Sequence, residues 1–243
     1  LGQNVNSYNF DGHKFHVLLG NVARVPGLKR LRYTSPHPQD ITIELLDIMA
    51  RYDNICNSIH LPLQSGSDRI LKRMNRTYTS GHFINIARKI REILPSAGIS
   101  TDIIVGFPGE SEKDFSATIN VMEKINFDSA FTFKYSPRNG TKASGYEDQI
   151  NEDIKQKRLE QIISLQKSHT ILRNQSYLGK IENVLIEKQS KRNIGKWAGR
   201  TDSNKWVIFD KDHASIKDIV PVLIMEARGI TLHGKIINKA KAA

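Results

Sequence analysis

The sequence has a single cysteine, Cys56, among its 243 residues. One thiol cannot close an internal disulfide, and it cannot build an all-thiolate metal site from this chain alone. Such scarcity of cysteine is typical of a reducing compartment, so we expect a cytoplasmic protein. Cys56 begins an apolar segment, where a small buried hydrophobic role is expected for it.

Long hydrophobic runs are also missing. The chain contains no apolar run of about eighteen residues and no basic segment followed by an apolar stretch at its start, so nothing indicates a membrane span or a signal peptide. Because Leu1 leads directly into a dense motif, we expect the natural polypeptide to begin upstream. The hydrophobic fraction of 39% is enough for the core of one large domain, with or without a smaller one.

Acidic residues are in deficit. The chain has 36 Lys+Arg against 25 Asp+Glu, a formal net charge of +11. Residues 178–243 hold 13 of the basic and 7 of the acidic residues, and are therefore the most basic part for their length. This charge favours a polyanionic partner, although a role in solubility would explain part of it.

Short apolar segments alternate with amphipathic helical patterns up to about residue 145. The strand candidates are RLRYT, NSIHLPL, STDIIVGF and SAFTFKYS, and the helices are predicted near 42–52, 67–75, 80–94 and 111–125. Such alternation predicts a parallel sheet with helical crossovers. The functional site is then expected in the loops at the carboxyl ends of the strands.

A different pattern follows. Residues 152–175 predict one long helix, and after it come the short strand candidates NVLIEK, KWVIFD, IVPVLIMEA and ITLHGKII. Regular short strands indicate a small antiparallel barrel. We therefore predict a first domain over 1–145, a connecting helix over 146–176 and a small barrel domain over 177–243.

The loops at the predicted strand ends are GQNVNSY, TSPHP, QSGSD, GFPGES and SPRNGT. In this order they resemble the methylthiotransferase branch of the radical-SAM family, and three of them are similar to loops of enzymes acting on isopentenyl-modified adenosine in tRNA. The C-terminal barrel resembles a TRAM domain. The resemblance implies an α/β fold: a partial (β/α) radical-SAM barrel lacking its first unit, followed by a small all-β, OB-like barrel.

The resemblance also implies a chemistry. Family members cleave S-adenosyl-L-methionine reductively at a [4Fe–4S] cluster held by three cysteines of a CxxxCxxC loop. The resulting radical takes hydrogen from C2 of the adenosine beside the anticodon, and a methylthio group is added. This chain lacks the loop, so we expect clusters only in a full-length protein, an inactive fragment here, and the tRNA anticodon stem-loop as partner. The sulfur and electron donors are unknown.

A set of polar and small residues is implied to lie near S-adenosyl-L-methionine. They are Gln3, Asn4, Asn6, Ser35, Gln64, Ser65, Gly66, Thr101, Asp102, Gly106, Tyr135 and Ser136. Plainer interpretations stay open, namely a polar turn at the first loop, helix capping by Ser67 and a tight turn after Gly106. His60 is expected to point into the barrel with a satisfied ring, because it has no ligand partners at metal spacing.

In the small barrel, basic and aromatic residues alternate, which is typical of binding to unpaired RNA. The RNA-binding candidates are Lys196, Trp197, Arg200 and Lys205. We expect Trp206 to lie half in the core and Trp197 to be the stacking residue. The plainer alternative is that Trp197 packs under the barrel and Arg200 caps a turn.

Three alternatives to this function remain open at the level of the sequence. One is an RNA-binding module without catalysis, and another is a methylthiotransferase for threonylcarbamoyladenosine tRNA or a ribosomal protein. The third is a barrel enzyme that uses QSGSD and GFPGES as phosphate loops. The third lacks support, because no His and carboxylate pairing with a matching nucleophile stands out in the sequence.

Overall fold

A computed structural model describes residues 4–34 and 36–237. Its first part mixes strands and helices, in the order β1 Asn9–Phe10, β2 His13–Lys14, α1 Phe15–Ala23, α2 Ile43–Arg51, β3 Ser58–His60, α3 Asp68–Arg73, α4 Ser80–Ile93, β4 Gly98–Val105, α5 Glu112–Ile125 and β5 Ser129–Lys134. Short 3-10 turns lie at Val5–Ser7, Pro38–Asp40 and Lys142–Gly145. The long helix α6 Glu152–Gln175 leads to β6 Ile181–Gln189, β7 Lys196–Arg200, β8 Trp206–Asp210, β9 Ile219–Arg228 and β10 Thr231–Ile236.

The helices begin at residues whose side chains cap them. Thr42, Thr79 and Ser111 accept hydrogen bonds from backbone N–H groups in the first turns of α2, α4 and α5. In α5, Asp114 bonds back to the Ser111 N–H and completes a capping box. The helices therefore start within one residue of the predicted positions. None of the described helices is both long and apolar enough for a bilayer crossing.

Three parallel strands form the sheet, in the order β3-β4-β5. A single bridge between Leu31 and Ile55 continues the pairing, so RLRYT contributes one bridge where a full strand was predicted. Along β4, Ile99, Ile103 and Val105 are fully buried against the helices. Ser100, Asp102 and Ile104 face the opposite, concave side, since neighbouring residues of a strand point to opposite faces.

The C-terminal strands close into a barrel in the order β10-β8-β7-β6-β9. Its core contains Val184, Ile186, Val207, Phe209 and Leu232. This confirms the predicted α/β architecture of a sheet domain followed by a small all-β barrel. Strand β7 and helix α1 were not predicted.

The barrel is fixed to the amino ends of the sheet strands. The Arg30 guanidinium donates to the backbone oxygens of Asn183 and Arg200, each at 2.9 Å, and forms an ion pair of 2.6 Å with Asp202. Arg32 bonds to Asn204 in the same turn of the barrel. These contacts join the domains through backbone atoms as well as side chains.

Asp128, directly before β5, is the buried centre of this junction. Its Oδ2 accepts from the Arg91 guanidinium at 2.7 Å and from the Ile99 N–H at 2.9 Å. Arg173 Nε lies 3.3 Å and Lys205 Nζ 3.0 Å from its Oδ1. One carboxylate thus connects α4, β4, α6 and the C-terminal barrel.

The charge of Asp128 follows from these partners. Burial by itself raises the pKa of the carboxyl group, but Lys205, Arg91 and Arg173 outweigh it and lower the pKa to about 2. An unfolded Asp has a pKa of about 3.9, so the ionised form stabilises the fold by roughly 2–3 kcal/mol above that pH. The contribution is lost as the pH falls from about 4 toward the folded pKa of about 2.

We predict that Asp128→Asn lowers the free energy of unfolding by about 3 kcal/mol at pH 7, because Lys205 is left buried without its counterion. Urea unfolding at pH 7 and pH 3 measures the effect, which should shrink at pH 3, because the carboxyl of the unfolded wild type is then largely protonated. The matched control is Asp53→Asn, since Asp53 is exposed and forms no ion pair with any described residue. An equal loss in both variants would contradict the role of Asp128.

Candidate functional site

The concave face of the sheet holds a polar cluster centred on His60. Its Nδ1 lies 3.0 Å from Ser100 Oγ, and its Nε2 lies 3.2 Å from Asp102 Oδ2. The ring meets Phe131 edge to face, with centroids 5.9 Å apart. Both ring nitrogens therefore have partners, which confirms the expectation that His60 points into the barrel with a satisfied ring.

The first polar loop is tied to the loop after Leu31. Asn6 donates from Nδ2 to the His37 carbonyl at 3.0 Å and accepts the His37 N–H at 2.7 Å. Asn4, at φ 60°, donates to Asp40 Oδ2 at 2.9 Å. These two asparagines hold the loops together at one edge of the sheet. Gln3 and Ser35, also implied by the resemblance, lie outside the described residues.

The QSGSD segment packs against helix α5. The Gly66 N–H donates to Thr118 Oγ1 at 2.9 Å, and a Cβ on Gly66 would lie 2.5 Å from the Ala117 carbonyl oxygen. Ser65 is fully buried beside Thr118. The Ser65 side chain and the Gly66 backbone therefore have structural roles in packing on α5, and their place near a cofactor stays a prediction. Gln64 pairs through its backbone with Asp102 and Ile104.

The β4 residues divide between the two faces of the sheet. Thr101 is fully buried, and its Oγ1 accepts the Leu63 N–H at 3.0 Å, so its side chain faces away from the concave side. The alternation along the strand turns Thr101 toward the helices, so its predicted cofactor contact has no support in this side-chain position. Its neighbour Asp102 does reach the concave face, where it meets His60.

The loop after β4 is built around a buried glutamate. Gly106 has φ 71°, and its N–H donates to Glu110 Oε2 at 2.7 Å. Arg158 Nη1 lies 2.8 Å from the same oxygen. Burial raises the pKa of Glu110 more than the Gly106 N–H and Arg158 lower it. A side chain on Gly106 would collide with Lys155, so this glycine is required by both its conformation and its packing.

Tyr135 and Ser136 follow β5 at the same edge. The Tyr135 ring meets Phe107 edge to face at 5.0 Å, and Lys155 Nζ lies 5.7 Å from its centroid. Its hydroxyl is buried and has no hydrogen-bond partner among the described residues. Ser136 is exposed. An aromatic ring with a free hydroxyl can therefore contribute to a site at the carboxyl end of β5.

The side chains do not fit a metal cluster. In the part of the chain that the structure describes, no three His, Cys, Asp or Glu residues are placed to hold a metal ion. Cys56 is buried, its Sγ lies 4.0 Å from Asp202 Oδ1, and burial raises the pKa of its thiol. A [4Fe–4S] cluster needs three thiolates and this chain has one cysteine, so its residues cannot ligate the cluster.

The two tryptophans of the barrel are placed opposite to expectation. Trp197 pairs with the inward-facing Phe209, packs against the barrel core, and donates from Nε1 to the Ala214 carbonyl at 3.2 Å. Trp206 pairs with Arg200 on the outer surface. The sequence pattern assigned the core role to Trp206 because it does not determine which residues of β7 and β8 face the inside of the closed barrel.

The basic side chains of the C-terminal barrel are either buried in ion pairs or placed on its outer surface. Lys205 is buried in its ion pair with Asp128, so its charge is already matched inside the protein, and its role in RNA binding stays a prediction without structural support. Arg200 Cζ lies 4.4 Å and Lys188 Nζ 4.5 Å from the Trp206 ring centroid, which forms a cationic and aromatic patch on the outer surface. Lys196 is half-buried and pairs with Asp210 at 3.2 Å.

Sequence reasoning missed the aromatic part of the concave face. Phe131 and Phe133 stand exposed on β5 and share the concave side with Asp102 and Ile104, which they oppose in register. The alternation of SAFTFK, with phenylalanine at every second position, is the signal that could have identified them.

Two family models match this chain. Residues 2–122 match the radical SAM superfamily, and residues 175–237 match the TRAM domain. The second match coincides with the closed barrel, and the first covers β3, β4 and the helices up to α5 but ends before β5.

Curated relatives match almost the whole chain. The proteins from Clostridium botulinum (strain Hall) and Acetivibrio thermocellus are each 44% identical, over 97% and 98% of this chain. The protein from Carboxydothermus hydrogenoformans is 41% identical over 98%. All three are named tRNA-2-methylthio-N(6)-dimethylallyladenosine synthase, and this chain covers 53%, 50% and 54% of their lengths. The chain thus spans about half the length of the curated relatives it matches.

Among solved structures, the radical SAM enzyme coproporphyrinogen III oxidase from Escherichia coli aligns with a TM-score of 0.47 at 13% identity. The alignment covers 69% of this chain and 45% of the other.

The structural role of Gly66 gives a prediction. Gly66→Ala should lower the free energy of unfolding by about 2 kcal/mol, because the new Cβ would meet the backbone of α5. Gly81→Ala should instead raise it by roughly 0.5–1 kcal/mol, because Gly81 lies in α4 and no described atom lies within 4 Å of the added carbon. Thermal and urea unfolding of both variants measure this difference, and a neutral Gly66→Ala variant would contradict the packing argument.

Proposed function

Because this chain belongs to the radical SAM superfamily and ends in a TRAM domain, we propose that it forms part of a tRNA methylthiotransferase. The reaction would add a methylthio group to C2 of N6-isopentenyladenosine next to the anticodon. One observation carries the proposal: 44% identity along 97% of the chain to a protein named for that synthase activity. The motifs GQNVNSY, TSPHP and SPRNGT support it, since they resemble loops of enzymes that act on isopentenyl-modified adenosine in tRNA.

S-adenosyl-L-methionine would bind at the carboxyl edge of the sheet. Asn4, Asn6 and Asp102 lie there with polar groups, and Tyr135 and Ser136 lie at the end of β5. Bound cofactor supplies the radical that starts the reaction in this superfamily. This chain's residues would bind and orient it, while the cluster cysteines would have to come from outside these 243 residues.

The C-terminal barrel would hold the tRNA anticodon stem-loop. The patch of Lys188, Arg200 and Trp206 combines cations for phosphates with an indole that can stack on an unpaired base. The excess of basic residues in 178–243 supports the same partner. A tRNA-modifying role also fits the cytoplasmic location that we infer from the scarcity of cysteine.

A chimera tests the activity. The part of the Clostridium botulinum relative that lies outside the match is joined to this chain, and the anaerobically reconstituted protein is incubated with isopentenylated tRNA, S-adenosyl-L-methionine, sulfide and a reductant. We expect methylthio-isopentenyladenosine in the digested tRNA by mass spectrometry. The intact relative is the positive control, and the chimera without reductant is the negative control.

The same digest separates the alternatives. Methylthiolated threonylcarbamoyladenosine, or modification of a ribosomal protein in its place, would identify another substrate. A folded chimera that contains the expected iron but modifies nothing, while the relative is active, would overturn the proposal and leave an RNA-binding module.

The barrel patch gives a separate prediction about RNA. Trp206→Ala should weaken tRNA binding by roughly 1–3 kcal/mol through lost stacking. Arg200→Ala should reduce the slope of log affinity for tRNA against log salt concentration by about one, which corresponds to one lost phosphate contact. Trp197→Ala is the matched control, because its indole packs against the barrel core. It should lower the melting temperature and leave the affinity of the folded protein unchanged. The converse result, with affinity lost only in Trp197→Ala, would restore the original assignment of Trp197.

A further inference from the structure

A cavity of about 870 Å³ lies between the amino ends of the sheet strands, helix α6 and the C-terminal barrel. Ser58, Gly98 and Ser129, which begin β3, β4 and β5, form one wall. Ile163 and Lys167 of α6 and the turn from Arg200 to Trp206 contribute to the others. Enzymes of barrel folds carry their chemistry at the carboxyl ends of the strands, whereas this cavity lies at their amino ends and adjoins the proposed cofactor site only through Phe131, which opposes Asp102 in register.

The cavity wall is positively charged. It contains Lys167, Arg200 and Lys205, while its one carboxylate, Asp128, is already paired with cations that include Lys205. Lys167 is exposed and forms no ion pair with any residue that the structure describes. The wall therefore attracts an anion, and Lys167 has a free charge with which to bind it.

The cavity also has aromatic and apolar surface. Phe131 is 59% exposed and Ile230 is 65% exposed, both on its lining. Trp206 lines it as well, with the Arg200 guanidinium 4.4 Å from its ring centroid. Arg200 Nε also lies 3.5 Å from Glu187 Oε2, so Lys167 is the cation of the lining that has no ion-pair partner among the described residues. Accessible aromatic side chains beside cations are the combination that binds nucleobases together with their phosphates.

Polar groups complete the lining. Ser100, Ser129, Ser203 and Asn204 offer hydroxyl and amide groups within the same cavity. Gln166 donates to Phe127 O and Thr170 Oγ1, and its Oε1 is buried without a partner among the described residues. Ser100, Ser203 and Asn204 already bond within the protein, to His60, Tyr177 and Arg200. A ligand that donates a hydrogen bond would satisfy Gln166 Oε1, whereas a purely hydrophobic ligand would leave this atom unpaired.

We propose that this interdomain cavity binds a single unpaired nucleotide. Its base packs on the aromatic side chains of Phe131 and Trp206, and its phosphate pairs with Lys167 and Arg200. The volume lies within the range of roughly 300–1,000 Å³ found for small-ligand sites, which is enough for one nucleotide. The inference does not rest on the proposed methylthiotransferase activity, because the binding needs neither cofactor nor cluster.

Tryptophan fluorescence of the full chain, titrated with uridine 5′-monophosphate and separately with a short oligouridylate, tests the proposal. Uracil is chosen because an adenine nucleotide could also occupy the proposed cofactor site. We expect saturable quenching in the wild type. Phe131→Ala should weaken binding roughly tenfold through lost stacking. Lys167→Ala should also weaken binding, and it should lower the slope of log affinity against log salt concentration by about one, which corresponds to one lost phosphate contact.

Matched controls lie on the same elements. Phe133→Ala removes a phenylalanine that is 51% exposed on the same strand but outside the cavity, and Lys157→Ala removes an exposed lysine of α6 that does not line it. Both should bind like the wild type. All four side chains are largely exposed, so thermal melting should remain unchanged and any loss can be assigned to binding.

Photo-crosslinking with 4-thiouridine 5′-monophosphate gives a readout that requires no variant. Crosslinked peptides that contain Phe131 or Trp206 would support the proposal. Tight binding of the mononucleotide would indicate a free nucleotide as the ligand, and binding of the oligonucleotide alone would indicate a nucleotide within RNA. Unchanged affinity in Phe131→Ala and Lys167→Ala, equal losses in the controls, or crosslinks only to other parts of the chain would overturn it.

Discussion

Asp128 is the group on which the arrangement of the whole chain depends, because its buried carboxylate is shared by elements that are distant in sequence. Arg91 comes from α4, Arg173 from α6 and Lys205 from the C-terminal barrel. Removing the carboxylate would leave several cations close together, of which Lys205 is almost fully buried. A buried charge is tolerated only when its partners are present, so the two domains stabilise each other through this cluster.

The same junction determines which edge of the sheet is free. Arg30 and Arg32 hold the turn of the barrel at the amino ends of the strands, and Gly98 packs so closely on the Ser203 carbonyl that a side chain would collide with it. The carboxyl ends of the strands therefore stay uncovered by the barrel. Since parallel sheets of this kind use that edge for chemistry, anchoring at the opposite edge leaves the proposed cofactor site accessible.

Much of this architecture could be predicted from local patterns. The apolar spacing and the caps at Thr42, Thr79 and Ser111 determine helices whose ends depend on neighbouring residues alone. The resemblance added the two domains and their order. Long-range contacts were less predictable: nothing within RLRYT shows that its pairing reduces to a bridge at Leu31, or that its arginines bind the C-terminal barrel.

Which face of a strand each side chain occupies was harder still to predict. Trp197 and Trp206 both occur beside lysines, and only the register of β7 with β8 shows that the first follows Phe209 inward while the second follows Arg200 outward. Thr101 and Asp102 are adjacent, yet one packs toward the helices and the other meets His60. A shift of one residue in register exchanges the faces, so assigning ligand contacts requires the three-dimensional pairing.

The loops that carry the family resemblance therefore combine two kinds of residue. Ser65 and Gly66 bring the QSGSD segment against α5, and Gly106 lets its loop close over Glu110. Their small size serves the close approach of backbones, which fixes where each strand ends. Asn4 and Asn6 instead bond to Asp40 and His37 of the neighbouring loop, and Asp102 extends from β4 to His60. A motif residue can thus be required for a site by shaping its walls without contacting what the site binds.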